Sequence, residues 1–220
     1  MASRPAILRY ARWIRGLAIT CLILSATSLG AGLLRANLLN EIAAGLHGPL
    51  DGAGHLRGAA ALRYQLVSRI DLGVALALHA AFLVWLHAAV ANLRVLGSTA
   101  PVGGPGMAVA WFFIPVANLW KPFQTLSRLW RASREPDAWS HAPVSPLVAI
   151  WWLTFLASAL FGRAGFRFGW RPVSVEQELL GVGLDMAGDL LEAGAVMALW
   201  ILAVRITGLQ SSRRRLALKG

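Results

Sequence analysis

WFFIPVANLWKPFQTLSRLWRAS, residues 111–133, has a composition that suits neither a bilayer span nor a loop in water. Its rings (Trp111, Phe112, Phe113, Trp120, Phe123, Trp130) are too many for a solvated segment. Its cations (Lys121, Arg128, Arg131) and its prolines (Pro115, Pro122) make it too polar and too broken to cross hydrocarbon. Aromatic rings interleaved with cations fit the membrane–water boundary, where each ring has an apolar body and a wet edge. The flanking chain agrees. Apolar blocks long enough to cross a bilayer lie at 16–34, 70–96, 146–162 and 178–206, two before this stretch and two after it.

Hydrophobic residues make up 57% of the chain, charged residues only 14%, and mean hydropathy is +0.58. A soluble domain is roughly half apolar and about a quarter charged. The excess comes in blocks, so the chain reads as an all-α integral membrane protein: four transmembrane helices with a Pro-kinked, interfacial, amphipathic helical element between helices 2 and 3. One membrane domain over 1–220 accommodates this. Cys21 is the only cysteine, which excludes an internal disulfide and a Cys-based metal site; it reads as an ordinary buried thiol.

The net charge of +11 follows topology. Arg4, Arg9, Arg12 and Arg15 precede the first block; Arg94, Lys121, Arg128, Arg131 and Arg134 follow the second; Arg205, Arg213, Arg214, Arg215 and Lys219 close the chain. The regions 35–69 and 163–177 carry a net +2 each, against +4, +3 and +5 for those three clusters, the middle one counted with Glu135 and Asp137. This alternation places both termini and the middle loop in the cytoplasm. An Arg- and Ala-rich, Lys-poor composition points to a bacterium, hence to the bacterial inner membrane, N-in and C-in. The basic lead 1–15 sets Tyr10 and Trp13 at headgroup level, and the tail 207–220 meets anionic lipid. Topology accounts for the charge, so no nucleic-acid partner is expected. The first block competes with a cleaved signal peptide, with small residues at 25–31 as a cleavage region; its length and the three later spans favour a retained helix.

Region 35–69 reads as an outer loop, broken by Gly48, Pro49, Gly52, Gly54 and Gly58, with His47 and His55 as solvated side chains. In the second span His79 and His87 are eight apart, about 80° in azimuth. One helix cannot place both on one iron, and no other apolar segment holds a histidine, so interhelical hydrogen bonding is expected rather than haem. Residues 97–106, GSTAPVGGPG, form a hinge. Residues 107–114 are too short to span, Pro115 ends or kinks them, and Asn118 is expected to cap the next helix. In that helix Phe123, Leu126 and Trp130 share one side, and Gln124, Ser127, Arg128 and Arg131 the other.

The last span carries Glu178, Asp185, Asp189 and Glu192 within a stripe about 60° wide. Asp189 and Glu192 fall inside the expected bilayer depth, where carboxyls need partners. Arg35, Arg69, Arg163 and His79 are the candidates at that depth, and no second helix is expected to supply matching carboxylates. Gly181, Gly183, Gly188 and Gly194 would let a neighbouring backbone come close.

FLVWLHAAVANLRVLG (82–97), the 111–133 stretch and IWWLTFLAS (150–158) together resemble the bacterial DUF4328 family of multi-span membrane proteins, from about residue 70 to 210. The shared marks are Trp85, Asn92, Trp111, Pro115, Asn118, Trp120, Pro122, Trp130 and the pair Trp151–Trp152. The resemblance implies a topology and no reaction.

Two functional readings follow. The first is a non-enzymatic module that binds a lipid, through anionic headgroups, or a partner membrane protein or second copy. Its candidate residues are Asn92, Trp111, Pro115, Asn118, Trp120, Lys121, Gln124, Arg128, Trp130 and Arg131. The second is a metal-dependent or proton-coupled enzyme or carrier using Asp185, Asp189 and Glu192 with His79, Arg35, Arg69 or Arg163; a divalent metal is the cofactor this would bring in. Neither HExxH, nor GxSxG, nor a phosphate-binding glycine loop occurs, so no catalytic residue is assigned.

Overall fold

The computed structural model describes the backbone of residues 6–46 and 53–217. The elements run α1 (Ala6–Ala43), α2 (Ala53–Val95), α3 (Pro105–Ala110), a 3₁₀ turn (Ala117–Leu119), α4 (Lys121–Arg134), α5 (Pro146–Gly169) and α6 (Val175–Ala217). No strand occurs among the described residues. Four helices (α1, α2, α5 and α6) are long and apolar enough to cross a membrane. The chain is an all-α, multi-pass membrane protein.

Proline and glycine set the boundaries. Pro105, Pro122 and Pro146 each sit in the first turn of a helix, where a missing N–H costs nothing. Gly45 and Gly97, at φ +70° and +73°, close α1 and α2. In each case the next amide reaches back five residues, Leu46 to the Glu41 carbonyl (3.1 Å) and Ser98 to the Leu93 carbonyl (3.0 Å), a turn that needs a left-handed residue.

The helices overrun the apolar blocks. Most of the expected loop 35–69 is helix: α1 continues to Ala43, and α2 starts at Ala53 and passes through Gly54 and Gly58. A helical glycine costs about 1 kcal/mol against alanine, and the Ala- and Leu-rich context carries it. The expected loop 163–177 shrinks because α5 continues to Gly169 and α6 begins at Val175. The expected tail is likewise helical to Ala217. His47, Gly48, Pro49, Gly52, Arg4 and Lys219 lie outside the described residues, as do the side chains of His55, Arg214 and Arg215.

The chain divides into two compact units, each drawing on all four long helices: Met1–Ala18, Leu76–Trp152 and Met197–Gly220 form the first, and Ile19–Ala75 and Leu153–Val196 the second. The first unit has an aromatic core. Trp85 and Phe82 of α2 are buried and stacked at 5.9 Å, and Phe82 also meets Phe112 (5.6 Å, edge-on) and Trp151 of α5 (5.7 Å). Such ring pairs add about 0.5–1.5 kcal/mol each beyond their buried area. Trp85 Nε1 donates to Thr207 Oγ1 of α6 (3.0 Å), and Trp152 Nε1 to the Leu119 carbonyl (3.1 Å).

The second unit is held by a close crossing of α5 and α6. A Cβ on Gly181 would lie 2.9 Å from the Gly169 amide nitrogen, and one on Gly188 3.2 Å from that of Gly162. Of the glycines expected to allow close approach, Gly194 has only an ordinary contact, with Thr154, and Gly183 faces open space. On the facing helix, Gly165 leaves room for the Asp185 carboxyl; a Cβ there would collide with it and lie 2.8 Å from the Asp185 amide nitrogen. Gly165→Leu therefore forces α5 and α6 apart and should lower stability by about 1–3 kcal/mol. Thermal unfolding of the detergent-purified protein checks this, with Gly183→Ala, which meets open space inside α6, expected to leave the midpoint unchanged or raise it.

Candidate functional site

The 111–133 stretch is assembled on the first unit. α3 ends at Ala110 and its last turn continues into Phe113, before Pro115 is reached. Val116 then takes φ 66°, the one positive φ of a non-glycine residue among the described residues and a strained one for a β-branched side chain. This reversal sends the chain into the 3₁₀ turn and α4. Asn118 lies inside the 3₁₀ turn and caps nothing; Trp120 occupies the N-cap of α4 without a side-chain hydrogen bond. Pro115 is exposed and Trp120 43% exposed.

α4 is built in, not laid on a surface. Leu126, Leu129, Trp130, Thr125, Ala132 and Ser133 are buried. Its strongest tie is Gln210 of α6, 2% exposed. Gln210 Nε2 donates to Ser133 Oγ (2.9 Å) and to the Ala89 carbonyl of α2 (3.1 Å), and its Oε1 accepts from Asn92 Nδ2 (3.3 Å). Asn92 thus ties α2 to α6. Arg213 adds a bond to the Arg134 carbonyl at the end of α4, where the helix dipole favours a cation.

The three cations expected to act together are separated. Lys121 Nζ sits over the Trp111 ring, 5.1 Å from its centroid. Arg128 Nη1 donates to the Pro101 carbonyl (2.9 Å). Arg131 and Arg128 line an open groove of about 570 Å³ with Phe123, Gln124 and Ser127, against residues 144–146 and 149 at the start of α5. Phe123 faces this groove instead of joining Leu126 and Trp130 in the core. Ser145 Oγ accepts from the Leu147 amide (3.3 Å), capping α5 at the groove wall. Ser127 Oγ and Arg131 Nε are buried and have no hydrogen-bond partner among the described residues; the same holds for Trp130 Nε1, which does not line the groove.

The acidic stripe of α6 is divided among neighbours in the second unit. Glu178, 3% exposed, pairs with Arg35 of α1 (2.8 Å). Asp185 packs at Gly165 of α5. Asp189 accepts from Ser28 of α1, whose Oγ lies 2.7 Å away. Asp189 and Glu192 meet Asp71 of α2, with oxygens of all three within 4.8 Å of one another. A second helix therefore does supply a matching carboxylate, contrary to the expectation. Asp71 sits at the edge of its apolar block, where an acid reads as a helix-entry residue; only the approach of α2 to α6 reveals its role. Of the expected partners, Arg35 is used, by Glu178. Arg69 and Arg163 are exposed and make no ion pair among the described residues. His79 is half-buried and is not a member of the three-carboxyl group, and His87 is exposed. Three carboxyls this close need a compensating positive charge, whether a cation or shared protons.

Four long apolar helices with a Trp- and Pro-rich segment folded in between the second and third define a class of helical membrane protein. The family described as "Domain of unknown function (DUF4328)" matches residues 52–208, and the chain belongs to it. The match begins well before residue 70, where the resemblance was expected to start. No curated protein and no solved structure matches the chain. Of the residues on which the resemblance rested, Trp152 bonds directly to the 111–133 stretch at the Leu119 carbonyl, Trp85 and Asn92 tie α2 to α6, Trp151 meets Phe82 of α2, and Trp111 lies beneath the Lys121 ammonium.

Gln210→Leu keeps the volume but strands Asn92 and Ser133. A buried polar group left unpaired costs about 1–3 kcal/mol, so its thermal midpoint should fall, and Asn92→Leu combined with it should add less than the sum of the single effects.

Proposed function

We propose that the protein is a non-enzymatic membrane module of the cytoplasmic membrane that holds a lipid at its cytoplasmic face, in the groove between α4 and the start of α5. The observation that carries this reading is the two-sided lining. Arg128, Arg131, Gln124 and Ser127 provide a polar wall, and Phe123, Val144, Pro146 and Ala149 an apolar one, with no acidic residue between them. A lipid has this same division into headgroup and chain. Exposed Phe113, Val116, Leu119 and Trp120 extend the apolar surface of the same segment. The positive-inside pattern supports the cytoplasmic side for this segment.

Native mass spectrometry of the detergent-purified chain tests the reading. Bound lipid should be retained by the unmodified protein and by Leu153→Trp, an exposed position on α5, and lost in Ala149→Trp, which fills the groove. Equal retention in all three would remove the groove as the seat. A partner membrane protein or second copy is the other occupant of this surface, and it would appear as an added protein mass that Ala149→Trp also displaces.

The second reading rests on Asp71, Asp189 and Glu192, whose oxygens lie close enough to share one divalent ion. In this reading the protein handles a cation or protons through the second unit. Elemental analysis should find a divalent metal near one per chain, and Asp71→Asn should lower it at least tenfold. Finding no metal, with Asp189→Asn fully stable, removes the metal form of this reading.

A further inference from the structure

We infer that the polar wall of the α4–α5 groove is a phosphate site, with Arg131 and Ser127 as its principal donors. The inference rests on the lipid-groove reading and names the chemistry that the groove recognises.

Two buried donor atoms of α4 lack partners among the described residues. Ser127 is 8% exposed, its hydroxyl has no partner among the described residues, and it is one of the residues lining the groove. Arg131 lines the same groove, and its Nε–H is likewise buried and unpartnered. A buried donor left unmade costs free energy on the order of a full hydrogen bond, so such groups are normally satisfied. Ser127 and Arg131 are four residues apart on α4, one turn, so their side chains are neighbours on one face. Gln124 and Arg128, at three before and one after Ser127, complete a row along that face.

The donors define the ligand. An arginine Nε–H with its neighbouring Nη–H forms a planar fork that matches two oxygens of a phosphate or carboxylate. A hydroxyl beside it adds a third donor, and the capped start of α5, with Ser145 at its amino end, directs its dipole's positive end to the same wall. Arg128 already spends one Nη on the Pro101 carbonyl, which holds its charge at the groove mouth rather than freeing it for bidentate binding. Lys121 is excluded because its ammonium lies over Trp111. The groove lining contains no carboxylate that would neutralise Arg131. A tetrahedral anion with several acceptor oxygens uses all these donors where a planar carboxylate leaves one idle. The shared chemistry is a phosphate ester, whether on a lipid headgroup or in solution.

The test uses the full chain in detergent, with native mass spectrometry against dioleoyl phosphatidic acid, dioleoyl phosphatidylglycerol, dioleoylglycerol and inorganic phosphate. Phosphatidic acid and phosphatidylglycerol should be retained at least tenfold better than dioleoylglycerol. Arg131→Gln should reduce that retention about tenfold, the worth of a charge-assisted pair of hydrogen bonds. Arg131→Lys should recover only part of it, and Lys121→Gln should leave it unchanged. Ser127→Ala keeps the test independent of folding. Removing an unpaired buried hydroxyl should leave the thermal midpoint unchanged or raised, while phosphate-dependent retention falls several-fold.

The outcomes separate the sources. If inorganic phosphate raises the thermal midpoint in an Arg131-dependent way and no lipid is retained, the phosphate site stands with a soluble ester as its ligand, and the lipid reading falls. If dioleoylglycerol binds as well as phosphatidic acid and neither Arg131→Gln nor Ser127→Ala changes the retention, the lipid groove stands and the phosphate site is overturned. If neither lipid nor phosphate has any effect, both fall.

Discussion

A primary amide buried among apolar helices has four hydrogen-bonding positions to fill and no water to fill them. Gln210 fills three of them with groups from three other places in the chain: Asn92 and the Ala89 carbonyl on α2, and Ser133 on α4. The penalty for leaving such a group bare makes the arrangement specific in a way that apolar packing is not, because hydrocarbon contacts are indifferent to small rotations and a hydrogen bond is not. The Trp85–Thr207 bond and the ring cluster around Phe82 act in the same direction. Together they make the 111–133 stretch a part of the helical core of the first unit. Of its own tryptophans Trp130 is buried, Trp120 is 43% exposed and Trp111 lies beneath the Lys121 ammonium.

This changes where the chemistry of that stretch is found. The cations were a set by composition, but each has a separate assignment: Lys121 on Trp111, Arg128 on a loop carbonyl, Arg131 in the groove with a bare Nε. Burial of the apolar side of α4 by protein leaves its polar side facing the beginning of α5, and that juxtaposition makes the groove. The second unit handles its charges differently. There Glu178 has its own arginine, while Asp71, Asp189 and Glu192 crowd one another, with Ser28 as the hydrogen-bond donor to Asp189. The glycine crossing of α5 on α6 places Asp185 against α5 and so apart from that group. The two units thus present opposite electrostatics, an under-neutralised cation in one and crowded carboxyls in the other.

Hydropathy and proline placement are local properties of the chain, and they were enough to indicate an all-α, four-span membrane protein with a broken helical segment in its middle; the family was legible in the Trp- and Pro-bearing motifs. They also pointed to Asp189, Glu192, Gln124, Arg128 and Arg131. Helix ends were less legible. An apolar block records the part of a helix that faces hydrocarbon, whereas α6 continues past Arg205 because protein covers Thr207 and Gln210, 3% and 2% exposed, as fully as it covers any leucine. The groups that depend on two helices meeting at one height and azimuth were not legible at all: Asp71 joining the stripe, Ser28 on Asp189, Gln210 at the fastener, and Ser127 and Arg131 left bare in the groove. One helix's sequence specifies its own faces but not the rotation and register of its neighbours. Those follow from glycine contacts, ring packing and buried hydrogen bonds that exist only once the helices have come together.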